Sequence, residues 1–435
     1  MARQDSTDIL IRNGKILRPG KRVTGADLLI QSGIVTSIKR RIEPSTKYKV
    51  KVIDAKGKIV CPGFIDLHAH LREPGFEYKE TIQSGAAAAV AGGFTTICCM
   101  PNTRPVNDNK AVTHFILEKA REAGLARVRP IGAITMGLNG ENLAMMGELA
   151  SAGCVALSDD GYPVSNSLIM RRAMEYAKAL NLTIVDHCED CELSKGGVMH
   201  EGLKSTTLGL LGIPSAAEDV MVARDIALAE MTGCNLHLAH VSTSGAVRLV
   251  REAKARGVSV TAEACPHHFI LTDEAVGDFD TYAKVNPPLR VESDVQAVRE
   301  GLSDGTIEVI ATDHAPHAFE EKEQDFDHAP FGITGLETAF GLTMSLVDDG
   351  VLDFETAVCA LTKNPAKVFG LEGGDLSEGA IADITVIDPN EEWTVDPSAF
   401  RSKGRNTPFA GRRLKGRVVT TIVDGRVVFS KDQGY

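Results

Sequence analysis

The stretch from Cys61 to Gly75 reads CPGFIDLHAHLREPG, an apolar run that ends in two histidines and an arginine. In a β-strand, residues i and i+2 face the same side, so His68 and His70 direct two imidazoles into one volume. Arg72 adds a cation where the strand runs out. Histidine is a common metal ligand, but two histidines can also bond to backbone at a strand end. The rest of the chain decides between these two interpretations.

The composition is that of an ordinary globular protein. Of 435 residues, 43% are hydrophobic and 24% are charged, and no apolar run approaches the ~20 residues of a membrane helix. The N-terminus lacks the apolar core of a signal peptide. The net charge of −11 argues against a nucleic-acid surface. Nine cysteines, an odd number, favour a reduced chain without a disulfide framework. We therefore expect a cytoplasmic protein with neither membrane nor nucleic-acid partners.

The middle of the chain alternates short β-branched runs with longer helical patterns, which is typical of a parallel sheet with crossover helices. Eight runs read as strands, in the order IVCPGFIDLH, FTTICCMP, ARVRPIGAIT, GCVALSDD, LTIVDHC, NLHLAHV, VSVTAEACP and IEVIATDH. Eight strands alternating with helices predict an α/β fold, a (β/α)8 barrel of the TIM type. A doubly wound open sheet is the alternative, but no Gly-x-Gly-x-x-Gly follows any strand.

The two ends of the chain have a different pattern. Both consist of short alternating strands, with turn signals such as Asn13-Gly14 and Asp424-Gly425. We expect residues 1–60 and 375–435 to join into a small composite β-domain, a β-sandwich. Residues 61–374 would then form the barrel.

Polar side chains follow several of the predicted barrel strands, at the carboxyl ends where barrel enzymes carry their chemistry. They are His68 and His70, Asp159 and Asp160, Asp186 and His187, His240, and Asp313 with His314 and His317. Convergence from separate strands predicts a metal centre. The set exceeds the three protein ligands typical of one catalytic zinc and suits two metals sharing a carboxylate. The expected chemistry is hydrolysis of a carbonyl or phosphoryl bond, or its reverse.

The remaining histidines are expected to have structural roles. These are His267, His268 and His314 near the rim, His237 as a satisfied interior residue, and His114 and His200 on the surface. Asp66 precedes His68 by two residues, and we expect it to orient a ligand histidine.

Several motifs together resemble those of the class I dihydroorotases, which belong to the amidohydrolase superfamily. In chain order they are PGFIDLHAHLREPG, MPNTRPV, ALSDDGYPV, DHCED, AHVSTSGA, PHH, NPPLR and ATDHAPH. The resemblance spans Ile59 to Asn364, and the flanks look like the small β-domain of that family. It implies the reversible cyclisation of N-carbamoyl-L-aspartate to L-dihydroorotate in de novo pyrimidine (UMP) biosynthesis, with two Zn²⁺ ions per subunit.

The resemblance also implies roles for individual residues. The implied metal ligands are His68, His70, Asp160 as the bridging carboxylate, His187, His240 and Asp313. Asp313 is also the implied catalytic residue. The implied substrate contacts are His70, Arg72, Asn102, Asn286, His317, and the backbone of Phe331 and Gly332. In hydrolysis a metal-bridging hydroxide would attack the ring amide, and Asp313 would pass the proton to the leaving nitrogen.

Two alternative functions remain open. Hydantoinases and dihydropyrimidinases are similar cyclic amidohydrolases, but many of them bridge their metals with a carboxylated lysine. The segment ALSDDGYPV contains no lysine, and Arg72 suits a substrate that carries a carboxylate. The other alternative is a partner subunit of aspartate carbamoyltransferase. We also expect a homodimer. The acidic segment FEEKEQDFDHAPFG, within the 318–332 loop, is either a mobile lid or a solvated loop.

Overall fold

The computed structural model describes residues 8–43 and 50–433. Its strands, in chain order, are β1 (Asp8–Arg18), β2 (Lys21–Gln31), β3 (Ile34–Lys39), β4 (Val50–Asp54), β5 (Ile59–Pro62), β6 (Phe64–Ala69), β7 (Phe94–Cys99), β8 (Arg127–Pro130), β9 (Ala156–Ser158), β10 (Thr183–Asp186), β11 (Met199–His200), β12 (Gly212–Ile213), β13 (Leu236–Leu238), β14 (Val260–Ala264), β15 (Val309–Ile310), β16 (Ile384–Thr394), β17 (Arg413–Val423) and β18 (Arg426–Ser430).

The α-helices alternate with the strands of the central region. They are α1 (Ile82–Ala91), α2 (Lys110–Ala123), α3 (Met146–Ala152), α4 (Ser167–Ala179), α5 (Leu203–Leu208), α6 (Ala216–Thr232), α7 (Ser244–Ala255), α8 (Pro266–Ile270), α9 (Glu292–Asp304), α10 (Phe319–Lys322), α11 (Ala339–Asp348), α12 (Phe354–Leu361) and α13 (Lys363–Phe369). None of these helices is both long and apolar enough to cross a membrane.

Eight parallel strands close into the predicted barrel. Strands β6, β7 and β8 pair in that order, and β9, β10, β13, β14 and β15 form a second run. Two parallel bridges join the runs, Gly132 with Leu157 and Ala69 with His314. The interior is filled by apolar side chains such as Leu67, so chemistry is confined to the rim. The prediction of a (β/α)8 barrel is confirmed.

The first predicted strand is in fact two strands that belong to different sheets. Strand β5 pairs with β1 and β16 in the small sheet, whereas β6 pairs with β7 in the barrel. Gly63 separates them at a very close approach, where an added Cβ would lie 2.2 Å from Thr95 Oγ1. The side chain of any larger residue at position 63 would clash with Thr95.

The small sheet is built from both ends of the chain, as predicted. Its strand order is β18-β17-β16-β5-β1-β2-β3, with β4 pairing parallel to β1. Because β5 ends at Pro62, the sheet extends slightly past the predicted boundary at residue 60. The division of the chain at residues 60 and 374 stays a prediction. Residues 395–412, between β16 and β17, leave this sheet and contact the barrel.

Local signals explain where the crossover helices begin and end. In α2, the Asn109 side chain accepts hydrogen bonds from the backbone of Ala111 and Val112, which caps the first turn. The helix stops at Gly124, whose φ of 62° is left-handed. Helices capped in this way bury one apolar face on the barrel, and they hold the strand ends in register at the rim.

Candidate active site

Each predicted metal ligand lies at or just past the carboxyl end of a barrel strand. His68 and His70 lie at the end of β6, Asp160 follows β9, His187 follows β10, His240 follows β13, and Asp313 follows β15. The carboxyl ends of parallel strands share one rim, so five separate chain segments deliver their side chains to a single volume.

Asp160 lies at the centre of the four histidines. Its Oδ1 is 3.3 Å from His68 Nε2, 3.5 Å from His240 Nε2 and 3.7 Å from His187 Nδ1. Its Oδ2 is 3.5 Å from His70 Nε2. One carboxylate therefore uses both oxygens to face imidazoles from three other strands, as a bridging ligand must.

Asp313 faces the same group from the opposite side. Its Oδ1 lies 3.1 Å from His70 Nε2 and 3.5 Å from His68 Nε2. The backbone of Asp313 has a positive φ of 45°, uncommon for a residue other than glycine. Strain of this kind concentrates at functional sites, and here it accompanies a carboxylate turned towards the two histidines.

The geometry of these atoms fits bound cations. Within residues 8–43 and 50–433, the buried His68 Nε2 and Asp160 Oδ1 have no hydrogen-bond partner. His187 Nδ1 and His240 Nε2 face each other at 2.9 Å. Buried polar atoms normally have partners, and unpartnered atoms directed at a common volume fit the binding of a cation. Imidazole nitrogens with carboxylate oxygens are a donor set that suits zinc.

Mutual electrostatics keep the carboxylates charged. Burial alone would raise the pKa of Asp160, but His68 and the neighbouring imidazoles hold the pKa of that carboxyl well below its usual range. The same balance of burial against His70 and His68 lowers the pKa of Asp313. Both carboxylates are therefore ionised at neutral pH, the form that binds a cation.

Two glutamates support the histidines, and the sequence analysis missed both. Glu263 Oε1 lies 2.8 Å from His68 Nδ1, and Glu189 Oε2 lies 2.9 Å from His187 Nε2. Each carboxylate thus holds the ring nitrogen turned away from the centre, a common arrangement around metal-binding histidines. A charged residue inside the apolar strand VTAEA was the available signal for Glu263.

Asp66 does not orient a ligand ring, contrary to expectation. Its carboxylate accepts from the backbone N–H of Thr312 at 2.9 Å, from the Thr312 hydroxyl at 2.5 Å and from the His68 backbone. These bonds tie β6 to the segment after β15. Asp66 therefore helps to close the barrel. The role predicted for Asp66, contact with a ligand histidine ring, belongs to Glu263 instead.

The other histidines mostly follow expectation. His237 is buried and bonds to Thr261 and Glu263, and His114 is exposed. His314 turns from the centre towards Glu80 Oε2, at 3.3 Å. His200 is buried, contrary to the predicted surface position.

The environment of His200 explains the difference. Burial, together with the nearby Arg290 guanidinium, lowers the pKa of His200 to about 4. His200 belongs to the short β11–β12 pair, where it lies opposite Ile213, and no periodic pattern in the sequence predicts that pair.

His267 and His268 are buried beside Cys265. His268 Nε2 lies 2.9 Å from the backbone oxygen of Pro287, which links it to the segment that carries Asn286. This contact agrees with the supporting role predicted for the pair.

A cavity of roughly 330 Å³ opens beside the centre. Its walls include five of the six predicted ligands and most of the predicted substrate contacts, namely His70, Arg72, Asn102, Asp160, His187, His240, Asn286, Asp313, Phe331 and Gly332, with Tyr162 added. A cavity of this volume accommodates a small molecule.

Arg72 lines one side of the cavity, and His317 contacts Arg72. Arg72 Nε donates to the backbone oxygen of Pro316 at 3.2 Å, and Arg72 Nη2 lies 3.4 Å from His317 Nε2. Burial and the adjacent Arg72 lower the pKa of His317 to about 3, although its bond to Glu321 opposes the change. The imidazole is therefore neutral, and the guanidinium supplies the positive charge of this wall.

Asn102 and Asn286 connect the cavity to the histidines. His70 Nδ1 lies 2.9 Å from Asn102 Oδ1, and Asn286 Nδ2 donates to Glu189 Oε2 at 2.8 Å. Any group that these amides bind is thereby placed at a fixed distance from the cluster.

The loop over residues 318–332 is held by a bond within itself and by bonds to Lys284. The Lys322 ammonium donates to the Pro330 oxygen at 2.7 Å, and the Lys284 ammonium donates to the Phe326 oxygen at 2.5 Å. The backbone oxygen of Lys284 accepts from Gly332 N–H at 2.9 Å. These bonds keep the Phe331–Gly332 backbone at the cavity wall.

Comparisons with known proteins extend over the whole chain. The family described as "Dihydro-orotase-like" matches residues 57–246, and the one described as "Amidohydrolase family" matches residues 238–429. A protein named dihydroorotase from Syntrophus aciditrophicus (strain SB) is 54% identical, covering 98% of this chain and 100% of its own. One of the same name from Pelotomaculum thermopropionicum is 57% identical, with 97% and 98% covered.

Among solved structures, the L-hydantoinase (dihydropyrimidinase) from Arthrobacter aurescens superimposes with a TM-score of 0.86. It is 27% identical, and the match covers 98% of this chain and 96% of that one. The likeness therefore includes both the barrel and the sheet built from the two chain ends.

Proposed function

This chain belongs to the dihydroorotase family of metal-dependent amidohydrolases, and we propose that its barrel rim interconverts N-carbamoyl-L-aspartate and L-dihydroorotate in pyrimidine biosynthesis. The observation that carries the proposal is the convergence of four imidazoles and two carboxylates on a cavity whose wall contains Arg72. The imidazoles and carboxylates suit a metal centre that hydrolyses an amide. The Arg72 guanidinium suits the carboxylate that both reactants carry.

The ligand assignment is part of the proposal. His68, His70, Asp160 and Asp313 would hold one ion, and Asp160, His187 and His240 would hold the other; zinc is the expected metal. When bound, such a pair activates water and polarises an amide carbonyl. The nitrogen-rich donor set and the unpartnered atoms His68 Nε2 and Asp160 Oδ1 support the choice.

Asp313 is the proposed proton carrier. Its carboxylate is ionised, buried, and 3.1 Å from His70 Nε2 at the edge of the cavity. In hydrolysis it takes the proton of the attacking water and delivers it to the ring nitrogen as the amide bond breaks. In cyclisation the same carboxylate removes the proton from the attacking nitrogen and returns it to the oxygen that leaves as water.

The remaining wall residues are proposed to bind the substrate. Arg72, with Asn102 and His317, would hold the carboxylate next to the ring, and a charge-assisted bond to the guanidinium gives this contact its strength. Asn286 and the backbone of Phe331 and Gly332 would contact the other side of the ring. Because Asn102 also bonds to His70, a bound ring is fixed relative to the hydrolytic centre.

A substrate panel tests this function. We expect the purified, zinc-loaded protein to hydrolyse dihydroorotate and to cyclise carbamoyl aspartate, with kcat/KM far above that for dihydrouracil or hydantoin. Hydantoinases are structural relatives of this chain, so the neutral rings are the appropriate comparison. Equal or better turnover of those rings, which carry no carboxylate for Arg72, would overturn the assignment.

The assembly and location are finer parts of the proposal. We propose a homodimer and an association with aspartate carbamoyltransferase; size-exclusion chromatography of the protein alone and with that enzyme tests both. None of the nine cysteines forms a disulfide bond, which supports a reducing compartment such as the cytoplasm.

A further inference from the structure

Asn406 joins two loops of the substrate cavity from outside the barrel. Its Oδ1 accepts from the His317 backbone N–H at 3.1 Å. Its Nδ2 donates to the backbone oxygens of Ala315 at 3.1 Å and Gly332 at 3.0 Å. The side chain is only 2% exposed, so one buried carboxamide uses its acceptor and both of its donors on backbone groups.

The two loops are consecutive parts of the segment that follows β15. Residues 315–317 continue from the catalytic end of β15, whereas Gly332 closes the loop that begins at residue 318. They also contact each other directly, because His317 Nε2 lies 2.8 Å from the Phe331 oxygen. The space between them is tight, and a Cβ on Gly332 would lie 2.7 Å from the Ala315 Cβ.

The segment that carries Asn406 is itself fixed to the barrel. The backbone oxygen of Asn406 accepts a hydrogen bond from the Thr334 N–H at 2.8 Å. Earlier in the segment, the Ser402 hydroxyl donates to Glu80 Oε2 at 2.5 Å. Gly404 passes so close to the barrel that a Cβ there would lie 2.6 Å from Pro316 Cβ. A rigid backbone allows the carboxamide to hold the loops rather than to follow them.

We propose that Asn406 is a positioning residue for substrate binding: it sets the spacing between the His317 side chain and the Phe331–Gly332 backbone. The inference rests on the proposed function, since it assumes that these two loops bind the substrate. Asn406 lies in the chain between β16 and β17, so the residue that holds these two loops comes from the segment between two strands of the small sheet.

The physical consequence concerns binding more than chemistry. Without the carboxamide, two buried carbonyls and one buried N–H lose their partners, and the loops shift to recover hydrogen bonds. The substrate contacts then separate, while Asp313 and the histidine cluster keep their own bonds. Loss of an interaction that acts on bound substrate and transition state alike raises KM and leaves kcat nearly unchanged.

The test is steady-state kinetics of Asn406→Ala with Thr407→Val as the matched control. Thr407 is the next residue and is equally buried, but its hydroxyl accepts from Phe409 N–H within its own segment. We expect N406A to raise KM for dihydroorotate by about tenfold or more, with kcat within about threefold and zinc content unchanged. T407V should leave both constants unchanged.

Asn406→Asp provides a second variant of almost the same size. It keeps an acceptor for His317 N–H but directs an oxygen at the carbonyls of Ala315 and Gly332, so KM should rise here too. A wild-type KM in N406A, an equal rise in T407V, or failure of both Asn406 variants to fold would overturn the inference. A wild-type protein inactive on dihydroorotate would instead overturn the proposed function, and this inference with it.

Discussion

His68 Nδ1 lies 2.8 Å from Glu263 Oε1, a contact that crosses the barrel interior because β6 and β14 are not neighbouring strands. Burial would raise the pKa of Glu263, but hydrogen bonds from His237 and His68 lower it to about 2. An ionised carboxylate can only accept, so Nδ1 of His68 carries the proton. The other ring nitrogen, Nε2, faces Asp160 Oδ1 at 3.3 Å and is therefore the one left for the proposed metal.

Replacing Glu263 by Gln should weaken metal binding. The amide has nearly the same shape but removes the charge that fixes the His68 ring, so we expect metal affinity to fall by about 10- to 100-fold. Competition with a chromophoric chelator measures this directly. An exposed substitution such as Glu252→Gln is the control. Wild-type affinity in E263Q would show that the contact does not tune the ligand.

Asp313→Ala should separate metal binding from turnover. Five other ligands remain, so we expect most of the metal to stay bound. Loss of the proton carrier should lower kcat by about 10²- to 10⁴-fold in both directions of the reaction. Metal analysis of the same preparation used in the assay makes the comparison. Activity equal to wild type would contradict the proposed proton transfer.

Arg72 should determine the preference for a substrate with a carboxylate. We expect Arg72→Met to lower kcat/KM for dihydroorotate by about 100-fold, mostly through KM, because the charge-assisted contact is lost. Arg72→Lys should recover only part of the loss, since an ammonium keeps the charge but not the planar pair of donors. An unchanged KM in R72M would place the substrate carboxylate elsewhere.

The convergence of the proposed ligands at one rim was predictable from the sequence, whereas the residues that contact them from other segments were not. A polar residue at the end of an apolar strand is a local pattern, and the barrel topology brings His68, Asp160 and His240 together without further information. Glu263 and Asn406 act across the barrel or from another segment. Their partners depend on three-dimensional proximity, which local periodicity does not encode.

Contacts with neighbouring segments also explain two predictions that were wrong, for Asp66 and for the first strand. Asp66 was expected to serve His68 because the two residues share a strand face, but Thr312 on the neighbouring segment offers it two donors. The run IVCPGFIDLH has the periodicity of one strand, and nothing in that pattern marks Gly63 as the crossing between two sheets. Both cases reflect contacts with segments distant in the sequence.

Glu337 should make stability depend on pH. Burial raises the pKa of this carboxyl to about 7, although backbone N–H groups of Arg401 and Ser402 oppose the rise. The folded state thus holds a proton between about pH 4.5 and 7 that the unfolded state releases. The free energy of unfolding therefore falls as pH rises through that window.

Glu337→Gln lacks this titration. The Tm of the variant relative to wild type should increase by a few degrees between pH 5 and pH 7.5. Thermal melts of both proteins in matched buffers measure the difference. A constant difference across the range would show that Glu337 titrates normally.

The central claim is that six side chains at the rim hold two metal ions that the reaction requires. The direct measurement is a zinc titration of metal-stripped protein, with bound zinc and dihydroorotate hydrolysis followed together. We expect activity to return as two zinc ions bind per chain, and Asp160→Ala to bind at most one and stay inactive. Full activity in the stripped protein, or two tightly bound ions in D160A, would contradict the account.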